Sequence, residues 1–492
     1  MMPYIGGEAR RALVPVEYGK DWTDFFQKGG TIGQFLELLQ DARLVGAAVA
    51  SGDKEASKST VGSHKTPRNG IFSYKPVDIN GAYANGHLYY TIQRHIVQTD
   101  EKSGQVGEGL ETVIVRSDGN LLFSYTPPTV SGMKLAPVRK LSDGTLIEKE
   151  PKPSPYATWE WDSIHDYLKG RSKTRSLLAI VREIVSLLKQ TIWLPNEEDY
   201  YALALVVPVT YTQAIFDAVP SIHANGPMGS GKTQLGNALA KLCMNGSVVG
   251  QVSAAAAARH IDETRGFVVI DDIEAIAKKT GKDGTFNEFV QFLKQGYNRH
   301  SAVKVWTDVK AGMKNEKLNF FGVKFLSNTL GSDFILGSRL IRIQTLVIPE
   351  GTHTNFRDFS VEEQDRLREL RNELHTWAFM NADKVNNTYH SVHAGRTDRQ
   401  TEIAAPLRTI AQICGDPEIT TKLEACLARQ QVQQESFTDD PAGALKVAVR
   451  NLIKQGYDTI TLTHVGLELA LLLEANNARS STTEIAKWKR PS

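Results

Sequence analysis

A glycine-rich octapeptide constrains this chain more than any other feature. It reads GPMGSGKT and comprises Gly226, Pro227, Met228, Gly229, Ser230, Gly231, Lys232 and Thr233. The spacing fits the phosphate-binding loop pattern G-x-x-x-x-G-K-[ST] without a mismatch. Because glycine has no Cβ, such a loop lets backbone N–H groups curl around phosphate oxygens. A nucleoside triphosphate, ATP, is the expected ligand.

The end of the loop carries the side chains that a phosphate group and its metal ion require. Lys232 can reach the β- and γ-phosphates, and the Thr233 hydroxyl can ligate Mg²⁺. Residues 221–225 (SIHAN) predict a strand entering the loop, and residues 234–243 (QLGNALAKLC) predict an amphipathic helix leaving it. A helix that starts at Lys232 would direct the positive end of its dipole at the same anion.

A second motif supplies carboxylates. Residues 266–272 (GFVVIDD) form an apolar run that ends in Asp271 and Asp272. The run fits a buried parallel strand with acids at its carboxyl end, where α/β sheets place their chemistry. Asp271 is the candidate outer ligand of the hydrated Mg²⁺, and Asp272 or Glu274 is the candidate for orienting or deprotonating the attacking water. A strand followed by a solvated acidic turn is the alternative interpretation.

Composition favours a soluble globular protein of several domains. The chain has 492 residues, of which 41% are hydrophobic and 23% charged. A net charge of +2 does not itself indicate nucleic acid, so any DNA contact would need a local basic patch. Three cysteines without paired spacing argue against disulfides or a zinc site and favour a reducing cytosol: Cys243, Cys414 and Cys426.

Membrane insertion is not expected. No signal peptide is visible, and residues 200–216 are apolar but contain Pro208 and are flanked by acids. These residues predict a buried helix packed behind the nucleotide-binding sheet. We therefore expect a cytoplasmic protein.

The part ahead of the phosphate-binding loop divides into several predicted pieces. Residues 51–72 are polar and indicate a linker, whereas residues 73–161 indicate a β-rich domain. In the latter, residues 87–92 and 111–115 predict strands, and Asp118-Gly119 predicts a tight turn before a further strand. Nearby basic residues predict either a DNA-contacting surface or, in the favoured interpretation, solvated loops: Lys134, Arg139, Lys140, Lys149 and Lys152.

Helical periodicity dominates the rest of the chain. Residues 162–190 predict a linker helix leading into an α/β core over residues 191–350. A helical lid over 351–435 follows, and the tail over 436–492 predicts a partial winged-helix-like arrangement of helix, short strand and helix. Within the lid the predicted helices lie at residues 361–381, 403–414 and 418–434.

Three further segments complete a family resemblance. Residues 323–328 predict a strand ending at Asn328, residues 338–343 place Arg339 just before another strand, and residues 298–307 between the acidic strand and Asn328 predict a hairpin. With residues 202–216, 252–264, Gly296-Tyr297 and 406–411, they give residues 165–435 an order that resembles the AAA+-type ring ATPase part of primase-helicases from phages, plasmids and mobile elements.

The resemblance implies roles for the residues that match. Asn328 would lie close to the attacking water, and Arg339 would point into the active site of the neighbouring subunit. The hairpin, with His300 and Lys304, would project into a central pore. Asn328 as a strand cap, Arg339 as a surface ion-pair partner, and His300 and Lys304 as ordinary exposed residues remain the alternatives. Such relatives often carry Asp-Glu where this chain has Asp271-Asp272, which leaves the catalytic carboxylate open.

A weaker resemblance lies at the N-terminus. Residues 12–26, a strand followed by GKDWTDFF, resemble the closing segment of Toprim domains, so residues 1–50 are interpreted as a Toprim-like remnant and helix. The acidic residues of that fold would lie upstream, so the resemblance implies no primase activity for this piece.

These patterns predict an α/β fold with a P-loop NTPase, AAA+-like core. The predicted function is that of a Mg²⁺-ATP-hydrolysing helicase or translocase, a homo-oligomer built as a hexameric ring. It would act on single-stranded or forked DNA, with a separately encoded primase as a further partner. The alternative is a nucleotide-switched assembly or regulatory ATPase without unwinding activity.

Overall fold

The computed structural model consists of two compact units, Met1–Phe72 and Ser73–Ser492. It describes residues 4–5, 8–11, 43–44, 76–99, 106–128, 138–250, 252–271, 288–308, 314–328, 339–348, 358–393 and 398–436, with residues 449, 452 and 464–465. The Toprim-like segment 12–26, the linker 51–72 and all but these last few residues of the winged-helix-like tail lie outside the described residues. In the first unit, β1 (Tyr4–Ile5), β2 (Glu8–Arg11) and β3 (Arg43–Leu44) form an antiparallel sheet.

The second unit opens with two small antiparallel sheets. Strands β4 (Tyr83–Ala84), β5 (His87–Thr99), β6 (Val106–Arg116) and β7 (Leu121–Leu122) form one of them in that order. Strands β8 (Ser124–Tyr125), β9 (Arg139–Leu141) and β10 (Leu146–Ile147) form the other. The strands predicted at 87–92 and 111–115 fall within β5 and β6.

Two helices replace the single linker helix predicted over residues 162–190. Helix α1 (Trp161–Leu168) ends before Gly170, whose φ of 66° is a left-handed conformation that favours glycine. Helix α2 (Leu177–Thr191) begins at Ser176, whose hydroxyl accepts a hydrogen bond from the Ala179 N–H. The prediction of one helix was wrong because residues 169–176 (KGRSKTRS) are polar throughout and separate two apolar helical segments. Helix α2 is also no linker, since it packs against the helix that follows it.

Helix α3 (Glu197–Thr212) is buried almost along its whole length, as predicted for residues 200–216. It continues as a 3₁₀ turn over Gln213–Ile215. Its apolar residues share the main core with Ile222 and Ala224 of the next strand. Within the described residues, no helix is both long and apolar enough to cross a membrane.

The central sheet has five parallel strands. In chain order the elements are β11 (Ser221–Asn225), α4 (Lys232–Leu242), β12 (Ser247–Val249), α5 (Ala254–Thr264), β13 (Val268–Ile270), α6 (Glu288–Gln295), β14 (Val303–Asp308), β15 (Lys314–Asn319), β16 (Lys324–Asn328) and β17 (Leu340–Gln344). Across the sheet the order is β12-β13-β16-β11-β17. This parallel sheet, with the predicted phosphate-binding loop between β11 and α4, is consistent with the core of a P-loop NTPase fold.

Strands β14 and β15 form a separate antiparallel hairpin, in register from Val303–Asn319 to Asp308–Lys314. The hairpin predicted over residues 298–307 lies further along the chain, since only β14 overlaps that range and β15 follows it. The Ala302, Leu318 and Phe320 side chains anchor its base in an apolar cluster with α5 and α6.

Four helices complete the described chain: α7 (Val361–Met380), α8 (Ala382–His393), α9 (Arg399–Cys414) and α10 (Pro417–Ser436). Helix α10 covers the outer edge of the sheet. The Gln430 amide accepts a hydrogen bond from the Arg342 N–H at 3.2 Å and donates one to the Arg342 carbonyl oxygen at 3.3 Å. The side chain thus takes the place of a neighbouring strand beside β17. Helix α8 was not predicted.

A buried polar network joins the β-rich part to the core and to α7. The Tyr90 hydroxyl of β5 donates to Asn245 Oδ1, which follows α4, at 2.9 Å. Thr158 Oγ1 lies 2.9 Å from His375 Nε2 of α7, and the His375 ring stacks on Trp159. Burial holds the pKa of His375 well below its ordinary value. Because each polar group has a partner, the network aligns these elements without leaving buried groups unsatisfied.

Candidate functional site

The phosphate-binding loop leaves the carboxyl end of β11 through a tightly packed turn. A Cβ on Gly226 would lie 2.0 Å from the Thr345 carbonyl oxygen, so only glycine fits there. Gly229 and Gly231 have φ values of 78° and 83°, which other residues rarely adopt. The Ser230 and Thr345 hydroxyls lie 2.7 Å apart, and the Thr345 N–H donates to the Asn225 carbonyl oxygen. Thr345 therefore ties the loop to the end of β17.

The loop ends at the first residue of α4. Lys232 Nζ donates to the carbonyl oxygens of Gly226 and Pro227, each at 2.8 Å, which draws the ammonium back over the turn. The first N–H groups of a helix have no partner within the helix, so the loop and the start of α4 present donors and a positive dipole end together. This combination fits a phosphate group.

Asp271 receives two hydroxyl groups beside the loop. Thr233 Oγ1 donates to Asp271 Oδ2 at 2.9 Å, and the Ser327 hydroxyl donates to Asp271 Oδ1. Asp271 immediately follows β13. Helix α4 and strands β13 and β16 therefore bring three side chains to one point at the carboxyl edge of the sheet.

The donor set beside Asp271 fits Mg²⁺. That ion prefers oxygen ligands and is usually held by one or two carboxylates, with water and substrate phosphates completing its shell. The Thr233 hydroxyl and the Asp271 carboxylate supply such oxygens within 2.9 Å of each other. Over the ranges that the structure describes, no group of three or more His, Cys, Asp or Glu residues is placed to hold a metal by protein ligands alone.

Of the remaining candidates near the loop, the structure describes only the backbone of Asn328. Asp272 and Glu274 lie outside the described residues. Asn328 ends β16, where it pairs in register with Asn225, the residue before the loop. Its backbone is thus at the same edge as the loop, while its side chain lies outside the described part. Sequence reasoning missed Ser327, and the signal for it was a second polar residue at the end of that strand.

Arg339 lies at the opposite edge of the sheet. It precedes Leu340, which pairs with Ser221 at the amino end of β11, whereas the loop follows Asn225 at the carboxyl end. A strand of five residues, about 16 Å long, separates the two. The Arg339 guanidinium lies 5.7 Å from the centre of the Tyr297 ring. Burial, with the positive charge of Arg399 nearby, lowers the pKa of Arg339.

His300 and Lys304 flank the start of the hairpin, and both are exposed. The His300 N–H donates a hydrogen bond to Asn298 Oδ1 at 3.0 Å. Lys304 lies on β14, where it pairs with Leu318 of β15. Neither residue approaches the phosphate-binding loop through any contact found in the described residues.

The basic residues considered for a DNA-contacting surface lie in the β-rich part. Arg139 forms an ion pair with Glu150, and Lys149 donates to the Lys317 carbonyl oxygen at 2.8 Å. The three cysteines are free thiols, with Cys243 and Cys426 buried. Lys134 lies outside the described residues.

Comparison with known proteins gives little beyond this geometry. No family model matches the chain, and no curated protein matches it significantly. Among solved structures, an active helicase described as SCCmec type IV Cch is 11% identical, with a TM-score of 0.33 over 75% of this chain and 72% of that one. A full-length MCM homolog from Methanopyrus kandleri is 10% identical, with a TM-score of 0.32 over 70% of this chain and 76% of that one. At these values neither similarity assigns a family or an activity.

Proposed function

We propose that this chain is a Mg²⁺-dependent ATP hydrolase with an AAA+-like core that works as a hexameric ring on DNA. The observation that carries the proposal is the convergence of Thr233 and Ser327 on Asp271 beside the phosphate-binding loop. A loop that binds phosphate needs no such carboxylate for binding alone. A carboxylate next to the loop threonine is what a metal-assisted phosphoryl transfer requires.

The order of the strands supports the AAA+-like assignment. Strand β16 lies between β11 and β13, so its carboxyl end, with Ser327 and Asn328, borders both the loop and the acidic strand. A polar strand end in this position is the one expected for a residue close to the attacking water. The resemblance noted over residues 165–435 points to the same core.

The proposed division of roles follows from the placement of the side chains. The loop amides and Lys232 hold the phosphates, and Thr233 and Asp271 hold Mg²⁺. When bound, Mg²⁺ neutralises negative charge on the transferring phosphoryl group. Asp272 or Glu274 orients or deprotonates the attacking water, with Asn328 nearby.

Arg339 would serve a neighbouring subunit. Because it lies at the amino edge of the sheet, it is remote from the loop of its own chain. An arginine brought to the phosphates from another subunit stabilises the charge that develops in the transition state. The proposed ring places one chain's loop opposite the next chain's Arg339.

The hairpin β14–β15 is the proposed contact with DNA. Lys304 is exposed on it, Lys317 is exposed and forms an ion pair with Glu148 at 3.1 Å, and His300 lies just before it. Lysines on a projecting hairpin bind the phosphate backbone by charge, largely without regard to base sequence. The further proposals are a cytoplasmic location, a role in replication of a phage, plasmid or mobile element, and a separately encoded primase as partner.

ATP turnover measured with and without single-stranded DNA tests this function. We expect hydrolysis that requires Mg²⁺, is stimulated by DNA and is abolished in Lys232→Ala, which loses the charge beside the phosphates. Strand separation on a forked duplex then distinguishes a helicase from the alternative. Hydrolysis that leaves the fork paired, with an oligomeric state that changes with nucleotide, would favour a nucleotide-switched assembly protein.

A further inference from the structure

A buried lysine at the amino edge of the sheet has no part in the proposed chemistry. Lys324 opens β16, and only 1% of its surface is exposed. Its Nζ donates to the Gly296 carbonyl oxygen at 2.9 Å and to the Gly322 carbonyl oxygen at 2.7 Å, and lies 5.8 Å from the centre of the Phe292 ring. Burial of an ammonium is costly unless its donors are satisfied, so these carbonyl groups define where it can lie.

The contact with Gly296 is close enough that a larger residue there would displace the end of the Lys324 side chain. A Cβ at Gly296 would lie 2.8 Å from Lys324 Nζ. The ammonium is therefore packed directly against the backbone of the turn that follows α6. That turn is fixed on its other side as well, because the Tyr297 carbonyl oxygen accepts a hydrogen bond from the Val219 N–H at 2.9 Å.

The same turn carries Tyr297, which holds Arg339. The Tyr297 side chain is buried, and its ring lies 5.7 Å from the Arg339 guanidinium. The guanidinium is also close to the like charge of Arg399 at the start of α9. Two like charges repel each other, and the face of an aromatic ring attracts a guanidinium, so the Tyr297 ring stabilises Arg339 where it lies.

We infer that Lys324 is a positioning residue for Arg339: it fixes the Gly296-Tyr297 turn, and the Tyr297 ring then orients the guanidinium. This inference rests on the proposed function, in which Arg339 completes the site of the neighbouring subunit. Strand β16 would thereby serve two sites, with Ser327 at its carboxyl end and Lys324 at its amino end.

Lys324→Met tests the inference, since it keeps an unbranched side chain of nearly the same length and removes the ammonium. We expect a fall in kcat of about tenfold or more, because small displacements of a catalytic group cost up to about 10² in rate. Binding of a fluorescent ATP analogue should stay within about twofold of wild type. Lys384→Met, at an exposed position on α8, is the matched control and should match wild type in both measurements.

Two readouts separate positioning from a general loss of structure. Mixing Lys324→Met with Lys232→Ala should restore turnover, because a mixed interface joins an intact loop to an intact arginine. The double variant Lys324→Met with Arg339→Ala should be no slower than Arg339→Ala alone. Both substitutions remove the same interaction, that of Arg339 with the neighbouring subunit, so their effects should not add. Additive losses, or a Lys324→Met enzyme with the wild-type kcat, would overturn the inference.

Two further variants apply if Lys324→Met does not fold. Gly296→Ala displaces the ammonium, and Tyr297→Leu removes the aromatic ring while Lys324 stays in place. Both should reproduce the low kcat and its recovery in mixed rings, and normal turnover in both would overturn the inference. An inactive Arg339→Ala beside a fully active Lys324→Met contradicts this inference alone, whereas a wild-type protein without ATP hydrolysis contradicts the proposed function as well.

Discussion

Ser327 donates its hydroxyl hydrogen to the Asp271 carboxylate from the neighbouring strand of the central sheet. The two residues lie one position beyond the register pair Ile270–Leu326, so parallel pairing of β13 and β16 brings them level. Asp271 accepts from Thr233 on its other oxygen. The carboxylate is therefore oriented from both sides.

We expect Ser327→Ala to raise the Mg²⁺ concentration needed for half-maximal ATP hydrolysis by about 10- to 100-fold. Groups that orient a metal-binding carboxylate typically have effects of this size. ATPase assays over a Mg²⁺ titration measure it. Ser327→Thr keeps the hydroxyl, so its half-maximal Mg²⁺ concentration should return most of the way to that of wild type. Identical Mg²⁺ curves for Ser327→Ala and wild type would refute the proposed role.

The water-orienting acid is tested by two neutral substitutions. Asp272→Asn should bind ATP as tightly as wild type and lose hydrolysis, because the amide keeps the shape of the side chain and removes the base. Binding of a fluorescent ATP analogue and steady-state turnover are the measurements. Normal turnover in Asp272→Asn with loss in Glu274→Gln would transfer the role to Glu274.

Arg339→Ala should bind ATP about as well as wild type and hydrolyse it on the order of 10³-fold more slowly. The reason is the loss of a charge that acts only in the transition state. Because Arg339 and the loop of its own chain lie at opposite edges of the sheet, mixing with Lys232→Ala should restore part of the activity. If rings shown to be mixed stay inactive, Arg339 does not act between subunits, and Arg342 becomes the next residue to test. A monomer with a concentration-independent rate would contradict the ring itself.

DNA binding should weaken steeply as salt rises, because lysines that neutralise phosphates release bound counterions. Lys304→Ala should lower the affinity and reduce the slope of log K against log[salt] by about one unit. Fluorescence anisotropy with a labelled single strand at several salt concentrations measures both. Lys384→Ala serves as the exposed control, and binding that is indifferent to salt would argue against a contact through the hairpin.

Stability should depend on pH through Lys324, since burial lowers its pKa to about 7 from an ordinary 10.5. Above pH 7 the folded chain releases a proton that the unfolded chain keeps, so the free energy of unfolding rises with pH by about 1.4 kcal/mol per unit. The contribution disappears in Lys324→Met. Between pH 7 and pH 9 wild type should therefore gain about 2–3 kcal/mol relative to that variant, as measured by urea unfolding at each pH. Below pH 7 the difference between the two free energies of unfolding should not change with pH. If the two free energies run parallel from pH 5 to pH 9, Lys324 does not titrate in this way.

Local patterns in the sequence were enough to predict the phosphate-binding loop, the strand before it, the helix after it and the buried acidic strand. Each depends on residues close together in the chain, such as the glycines that permit positive φ and the apolar run before Asp271. The break between α1 and α2 was missed because the apolar residues on either side were read as one period, although the polar residues 169–176 separate them. Helix α8 was missed because its sequence is largely polar. Its apolar residues Val385 and Tyr389 are few, and they are buried only because other helices pack against them.

The sequence by itself determined that this chain has a phosphate-binding loop and an acidic strand, since both are local patterns of glycine, charge and hydrophobicity. Only the tertiary structure decided that β16 enters between β11 and β13, which brings Ser327 to Asp271 and leaves Lys324 and Arg339 at the far edge. Strand order depends on pairing between segments more than 50 residues apart, such as Ile270 with Leu326. That pairing is selected by the packing of helices on both faces of the whole sheet, so no short window of residues contains it.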